Sequence, residues 1–233
     1  DANIGRLLDR LEGLGLREET LVVFLSDNGF SCGHHGFWGK GNGTYPLNMY
    51  ESSIKVPFIA SHPGRVPVGA VQPAMVSAYD FMPTLLEYLD LPSPDGRSVP
   101  GESFLDLLMG RGGPGRDHVV VHDEYGPTRM VRTASWKYVH RYPDGPHELY
   151  DLGNDPWETR NLADDPGHAA VKKELRAALQ GWRKMVKDEG VSPGFRKGGW
   201  PSTYPTRSRE QWEVIVEKWK PWVFRAPGAK AAH

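Results

Sequence analysis

Asp27 and Asn28, adjacent in Ser26-Asp27-Asn28-Gly29, place a carboxylate oxygen beside an amide oxygen. Both are hard donors that suit one divalent cation such as Ca²⁺ or Mg²⁺. Ca²⁺ takes roughly six to eight oxygens, so two donors need partners from elsewhere. Taken alone, Asp-Asn-Gly reads first as an ordinary turn, since all three residue types favour turns. Lys40 follows between Gly39 and Gly41. The small neighbours let its ammonium approach an anion closely, as a point charge on the oxygens of a sulfate or phosphate ester. Between these groups lies His34-His35. Adjacent histidines without partners at regular ligand spacing argue against zinc. His35 is instead a candidate general acid, or a group that orients a leaving alcohol, because imidazole titrates near neutrality. Cys32 is the single cysteine. It excludes an internal disulfide, and with nothing to depress its pKa it reads as an inert loop thiol. His62, His118, His122 and His140 read as structural or surface residues.

The elements that must position these groups follow from periodicity. Ile4, Leu7, Leu8 and Leu11 recur at helical spacing and Gly13 and Gly15 stop the run, so the chain opens on an amphipathic helix. Thr20 to Leu25 (TLVVFL) reads as a strand buried on both faces, the pattern of a parallel sheet covered by helices. A helix leading into such a strand is half of a βαβ unit, which suggests a chain that begins inside a domain. Ser26 to Thr44 then reads as a long Gly-rich loop at the strand's carboxyl end, the edge where open α/β sheets bind ligands. Val56 to Ala60 reads as a second buried strand closed by a Pro63-Gly64 turn. A helix is expected from Asp80 with Pro83 in its first turn, and a short one near Phe104 to Met109.

Beyond the Gly/Pro-rich linker Arg111 to Asp117, short β-like runs at Val119–Val121, Arg129–Arg132, Trp136–Arg141 and Glu148–Leu152 predict a small antiparallel sheet. Pro143-Asp144-Gly145 is one of its expected turns. Asp165-Pro166 starts a helix carrying Val171, Leu175, Leu179, Trp182 and Val186 on one side, expected to cover that sheet. The fold class is therefore α/β, with three expected regions: residues 1–112, an α/β domain; residues 113–189, an antiparallel sheet plus helix; and residues 190–233, a Trp/Pro-rich extension with a short helix expected at Glu210 to Trp219.

Composition narrows the functions. The 233 residues carry 28 Lys plus Arg against 29 Asp plus Glu, a net charge of −1, without the basic run of a dedicated nucleic-acid binder. No stretch approaches the roughly 20 apolar residues of a spanning helix, and the amphipathic start is not signal-like. Neither nucleic acid nor a membrane is an expected partner.

In combination and in order, residues 5–29 (GRLLDRLEGLGLREETLVVFLSDNG), 35–41 (HGFWGKG), 50–64 (YESSIKVPFIASHPG), 80–91 (DFMPTLLEYLDL) and 148–166 (ELYDLGNDPWETRNLADDP) resemble the carboxyl-terminal portion of a type I sulfatase of the alkaline phosphatase superfamily. The likeness covers residues 1 to about 188. It implies part of an alkaline-phosphatase-like sheet with flanking helices. It also implies sulfate-ester hydrolysis by a hydrated formylglycine, made from Cys or Ser in a C/S-x-P-x-R motif, with one divalent cation, usually Ca²⁺. By motif position, Asp27 and Asn28 would be cation ligands and Lys40 would contact the sulfate, with His35 assisting the leaving group. The three positions Asp27, Asn28 and Lys40 are expected to line one cleft. Asn28, where two-zinc phosphatase relatives carry His, favours the sulfatase.

Cys32 stands in SCGHHG, without the Pro or Arg of the maturation motif, so the nucleophile and the remaining acidic ligands are expected in an amino-terminal half of the same protein. The expected partner is a sulfated small molecule or glycan. The alternatives are a phosphonate or phosphate ester hydrolase on the same fold, or a non-catalytic module binding sulfated glycans through Trp200, Tyr204, Trp212, Trp219 and Trp222.

Overall fold

The computed structural model describes residues 1–93, 101–122, 128–141 and 145–188, with side chains to residue 182. The expected turn at Pro143-Asp144, the expected helix at Glu210 to Trp219 and the five tail residues Trp200, Tyr204, Trp212, Trp219 and Trp222 lie outside the described residues.

In chain order the elements are α1 (Ala2–Gly13), β1 (Val22–Leu25), β2 (Ser31–Cys32), β3 (Trp38–Gly39), α2 (Glu51–Ile54), β4 (Phe58–Ser61), α3 (Phe81–Tyr88), α4 (Leu105–Leu108), β5 (His118–His122), β6 (Thr128–Thr133), β7 (Trp136–Arg141), β8 (Glu148–Asp151) and α5 (Ala169–Asp188). They fall into two compact units, residues 1–28, 55–119 and 132–135 in the first and residues 29–54, 120–131 and 136–233 in the second.

In the first unit α1 forms as its periodicity requires and ends before Gly15, whose φ of 67° closes the helix. Among the described residues its apolar stripe is only partly covered, for Ile4 and Leu7 are exposed while Leu8 and Leu11 are half-buried. β1 pairs with β4 antiparallel, Val22 opposite Ser61 and Leu25 opposite Phe58. This corrects the expectation of a parallel strand buried on both faces, since Phe24, Leu25 and Ile59 are exposed. A continuous apolar run reports that both faces of a strand are apolar; it carries no information on the direction of its neighbour.

Asp80 holds the rest of the unit together. Its carboxylate, buried to 1% exposure, accepts from the backbone N–H of Ser77 and Glu102 and is bound by the Arg116 guanidinium through Nε and Nη2. His62 is structural, as expected: Nε2 meets the Glu18 carbonyl and Nδ1 the Tyr88 hydroxyl.

The second unit is built on the sheet ordered β5-β6-β7-β8. Side chains alternate across it. Val120, Val131, Tyr138 and Leu149 face the α5 residues Val171, Leu175, Leu179 and Trp182. Their sequence neighbours Val121, Met130 and Val139 form a second cluster with Met49 and Ile54. With apolar neighbours on both faces, β7 is buried from Lys137 through Arg141. The α5 helix begins as expected, with Asp165 accepting from the Gly167 N–H ahead of it.

Candidate functional site

Asp27 and Asn28 lie in the first unit, directly after β1, and His35 and Lys40 lie in the second. Asp27 is exposed. Its Oδ1 accepts from the Asn28 N–H at 2.9 Å, and the Ser26 hydroxyl donates to the Asn28 carbonyl at 2.7 Å. These local bonds draw the turn at the strand end tight. A side-chain-bearing residue could not follow it. A Cβ on Gly29 would stand 2.2 Å from the Ser52 carbonyl oxygen, and the Gly29 N–H is donated to Ser53 O at 2.9 Å. Among the described residues, no group of three or more His, Cys, Asp or Glu side chains is disposed to hold a metal ion. Asp27 and Asn28 fit a cation only as part of a larger donor set, as the count of donors requires.

The segment expected as an open loop contains a hairpin. Ser31 pairs with Gly39 and Cys32 with Trp38, and residues 33–37 form its tip. His35 occupies that tip in the left-handed region, φ 55° and ψ 20°, between Gly33 and Gly36, which also have positive φ. A non-glycine residue there costs energy that its surroundings must supply. They do so through Tyr50, whose ring lies parallel to the imidazole with centroids 3.6 Å apart and planes 5° apart. The His35 pKa is lowered, first by burial and then by His34, with Lys137 adding to this and Asp155 opposing it. The imidazole therefore favours its neutral form, and its imidazolium form is the stronger acid for the same reason.

Lys40 leaves the hairpin directly after β3. Asn48, 3% exposed, fixes the chain around it. Its Nδ2 donates to the carbonyls of Lys40 and Gly41 and to the Thr44 hydroxyl, its backbone N–H donates to Gly41 O, and its Oδ1 accepts from Ser53 Oγ. The lysine thus extends from a backbone whose polar groups are paired by one buried amide, as orientation of a charged group demands.

Asn48 and Tyr50 were not legible as functional positions, and neither was the buried set behind them. Lys137, fully buried on β7, donates to Glu51 Oε1 at 2.6 Å, Glu158 Oε1 at 2.6 Å and Met49 O at 3.0 Å. Glu158 Oε2 also accepts the Glu51 N–H at 2.7 Å. Burial raises the Glu158 pKa, and Lys137 opposes that rise. Lys137 lies within the expected strand Trp136–Arg141, and its tertiary partners mark it as buried.

One motif requires correction. Ser61-His62-Pro63-Gly64-Arg65 does spell C/S-x-P-x-R, although the maturation motif was expected outside this chain. Its setting is the Pro-Gly turn after β4: Arg65 N and Val66 N donate to His62 O, Gly64 has φ 70°, and Arg17 Nη2 donates to Ser61 Oγ.

The architecture places the chain among alkaline-phosphatase-like hydrolases. It superposes with a TM-score of 0.71 and 31% identity on a protein solved in complex with its substrate D-glucosamine-2-N,6-O-disulfate, over 80% of this chain and 38% of that one. Against the phosphonate monoester hydrolase of Agrobacterium radiobacter the TM-score is 0.68 at 26% identity, over 84% of this chain and 42% of that one. Residues 33–185 match the profile of the family described as N-sulphoglucosamine sulphohydrolase, C-terminal, and the chain belongs to that sulfatase family. It is 32% identical to the N-acetylglucosamine-6-O-sulfatase of Bacteroides thetaiotaomicron over 81% of this chain and 34% of the relative. It is 31% identical to the arylsulfatase of Clostridium perfringens over 85% of this chain and 40% of the relative. The chain therefore spans about a third to two fifths of the length of these curated relatives. Sulfatases of this kind generally use a divalent metal.

Proposed function

We propose that this chain is the carboxyl-terminal portion of a sulfuric ester hydrolase that acts on a sulfated small molecule or glycan. Asp27 and Asn28 supply two donors to one divalent cation, Ca²⁺ or Mg²⁺. Such an ion, when bound, supplies Lewis-acid polarisation of the ester oxygens. Lys40 contacts the sulfate and offsets the charge that develops on its oxygens. His35 gives a proton to the leaving alcohol as the sulfur–oxygen bond breaks. The nucleophile and the other cation ligands come from an amino-terminal portion of the same protein. The exposed Phe24, Leu25 and Ile59 of the β1–β4 pair support that division, because each strand of the pair presents apolar side chains without a covering layer among the described residues.

The observation that carries the reading is the Lys40 segment: in a member of the sulfatase family, a lysine between two glycines extends from a backbone pinned by the buried Asn48. The test compares turnover of 4-nitrophenyl sulfate, 4-nitrophenyl phosphate and a phenylphosphonate monoester by the full-length protein. Sulfate turnover should exceed the others and fall about 100-fold or more in Lys40→Ala. Asp27→Ala should weaken both activity and the divalent-ion dependence. Preference for the phosphonate would favour the alternative suggested by the Agrobacterium structure, and glycan binding without turnover would favour a non-catalytic module. The tryptic peptide carrying Ser61 should have the mass of serine; a formylglycine there would relocate the nucleophile to this chain.

A further inference from the structure

We propose that Tyr50, gripped on both sides by the Lys137–Glu51–Glu158 ion cluster, is the positioning residue for His35; the inference rests on the proposed role of His35 in the sulfatase reaction. Three consecutive residues carry it. Lys137 Nζ takes the carbonyl of Met49 and the carboxylate of Glu51, and Glu158 takes the Glu51 N–H, so the backbone is fixed immediately before and after Tyr50. The ammonium has three protons, and Met49 O, Glu51 Oε1 and Glu158 Oε1 accept all three. The Met49 side chain is itself buried with Met130 and Val139. At the far end of the ring, the Tyr50 and Tyr150 hydroxyls are hydrogen-bonded to each other. Its ring stands 6.2 Å from that of Tyr50, and Phe37 stands 6.3 Å away on the hairpin.

Tyr50 is thus held at its backbone, its ring and its hydroxyl, and it presents one face to His35. His35 needs such a support. It is an exposed residue at a hairpin tip, with a glycine on either side of the His34-His35 pair and its own φ at 55°. Left to the hairpin alone, the imidazole would sample several rotamers, and misplacement of a reacting group by about 1 Å costs on the order of 100-fold in rate. A parallel ring at 3.6 Å restricts the imidazole to one plane while leaving its nitrogens at the edge, available to a leaving oxygen. The rigidity originates in β7, through a buried ammonium, and reaches the hairpin through Tyr50.

The test uses the full-length protein with ¹³C-labelled histidine Cε1 and two aryl esters, 4-nitrophenyl sulfate and phenyl sulfate, whose leaving groups differ in basicity. The His35 resonance should be shifted upfield by the Tyr50 ring current. Tyr50→Leu should abolish that shift, Tyr50→Phe should keep most of it, and Glu158→Gln should broaden or reduce it. In kcat, Tyr50→Leu should lose about tenfold more on phenyl sulfate than on 4-nitrophenyl sulfate, in the same sense as His35→Gln, because only the poor leaving group needs the proton. A merely structural role would lower both esters equally. An unchanged His35 resonance in Tyr50→Leu and Glu158→Gln would overturn the inference. Equal losses on the two esters in Tyr50→Leu, where His35→Gln discriminates, would do the same. A His35→Gln variant that treats both esters alike would instead sink the assigned role of His35, while the resonance would still decide whether Tyr50 holds the ring. Should Tyr50→Leu fail to fold, Tyr50→Phe and Glu158→Gln carry the comparison.

Discussion

Phe24, Leu25 and Ile59 of the first unit are 43%, 41% and 60% exposed, whereas Val131, Tyr138, Val139 and Leu149 of the second are wholly buried. Both sets stand on strands, yet β1 (VVFL) is a continuous apolar run, whereas β6, β7 and β8 (TRMVRT, WKYVHR and ELYD) mix apolar with charged residues. The difference lies in layers. The four-stranded sheet has α5 against one face and Met49 and Ile54 against the other, so its alternating side chains enter two separate clusters. The β1–β4 pair has two strands, and neither Phe24 nor Ile59 is covered among the described residues. Apolar patterning states what a strand can bury; a second layer decides whether it does. Polar groups divide the same way. Asp80 and Arg116 satisfy each other within the first unit, but Asp27, the residue assigned to chemistry there, remains exposed. In the second unit, the assigned His35 and Lys40 are each backed by a buried polar residue or ring.

The contrast is sharpened most by Lys137→Met. Removing the ammonium leaves Glu51 and Glu158 facing each other, Glu158 fully shielded, and should destabilise the second unit by about 3–5 kcal/mol. Urea unfolding followed by a second-unit tryptophan such as Trp136 or Trp182 would register it, and an effect below about 1 kcal/mol would mean the cluster contributes no stability.

Acidification should come next. The His140 ring lies stacked on His147, centroids 4.4 Å apart, and accepts or donates at Tyr138 OH through Nδ1. Burial, then His147 and the cations Arg176, Arg129 and Lys172, lower its pKa to about 4, and burial lowers that of His147 as well. Because the folded value lies below the unfolded one of about 6.5, the unfolded chain binds more protons between the two. Stability from His140 is therefore complete above about pH 6.5 and is lost as pH falls toward 4, by at most about 3 kcal/mol. Urea midpoints at pH 7.5, 6 and 4.5 should fall in that order, and His140→Phe should flatten the fall.

Ile59→Ser probes the first unit. In the full-length protein it should cost about 2 kcal/mol, because the proposed amino-terminal portion supplies the missing layer. A change under about 0.5 kcal/mol would leave that face to solvent and break the proposed division. The smallest expected effect is Asn48→Ala, about 1–2 kcal/mol, since the carbonyls of Lys40 and Gly41 lose a buried donor but water can reach the segment. Its kinetic signature should be larger than its thermal one: KM for the sulfate ester should rise as Lys40 loses its fixed backbone.

Much of this was legible in residue order. The α1 stripe, the strands of the second sheet and the Asp165-Pro166 start of its covering helix follow from periodicity and capping, which are properties of neighbours in sequence. So do Asp27, Asn28, His35 and Lys40 as candidates, because Asp-Asn-Gly and Gly-Lys-Gly are local patterns. The hairpin between Ser31 and Gly39 was hidden, since two-residue strands leave no alternation to detect. The direction of β4 beside β1 was hidden for the same reason that both runs were visible: hydrophobicity has no polarity along the chain.

What the sequence by itself determined is which groups are available for chemistry and where the apolar faces lie. Only the tertiary structure decided which of those groups are held. Lys137 and Glu51 stand 86 positions apart in sequence and share one proton bond at 2.6 Å, and Tyr50 meets His35 across 15 positions at 3.6 Å. Contacts of that range depend on how strands and helices pack, and packing responds to the volume and charge of every residue nearby. No local pattern encodes it.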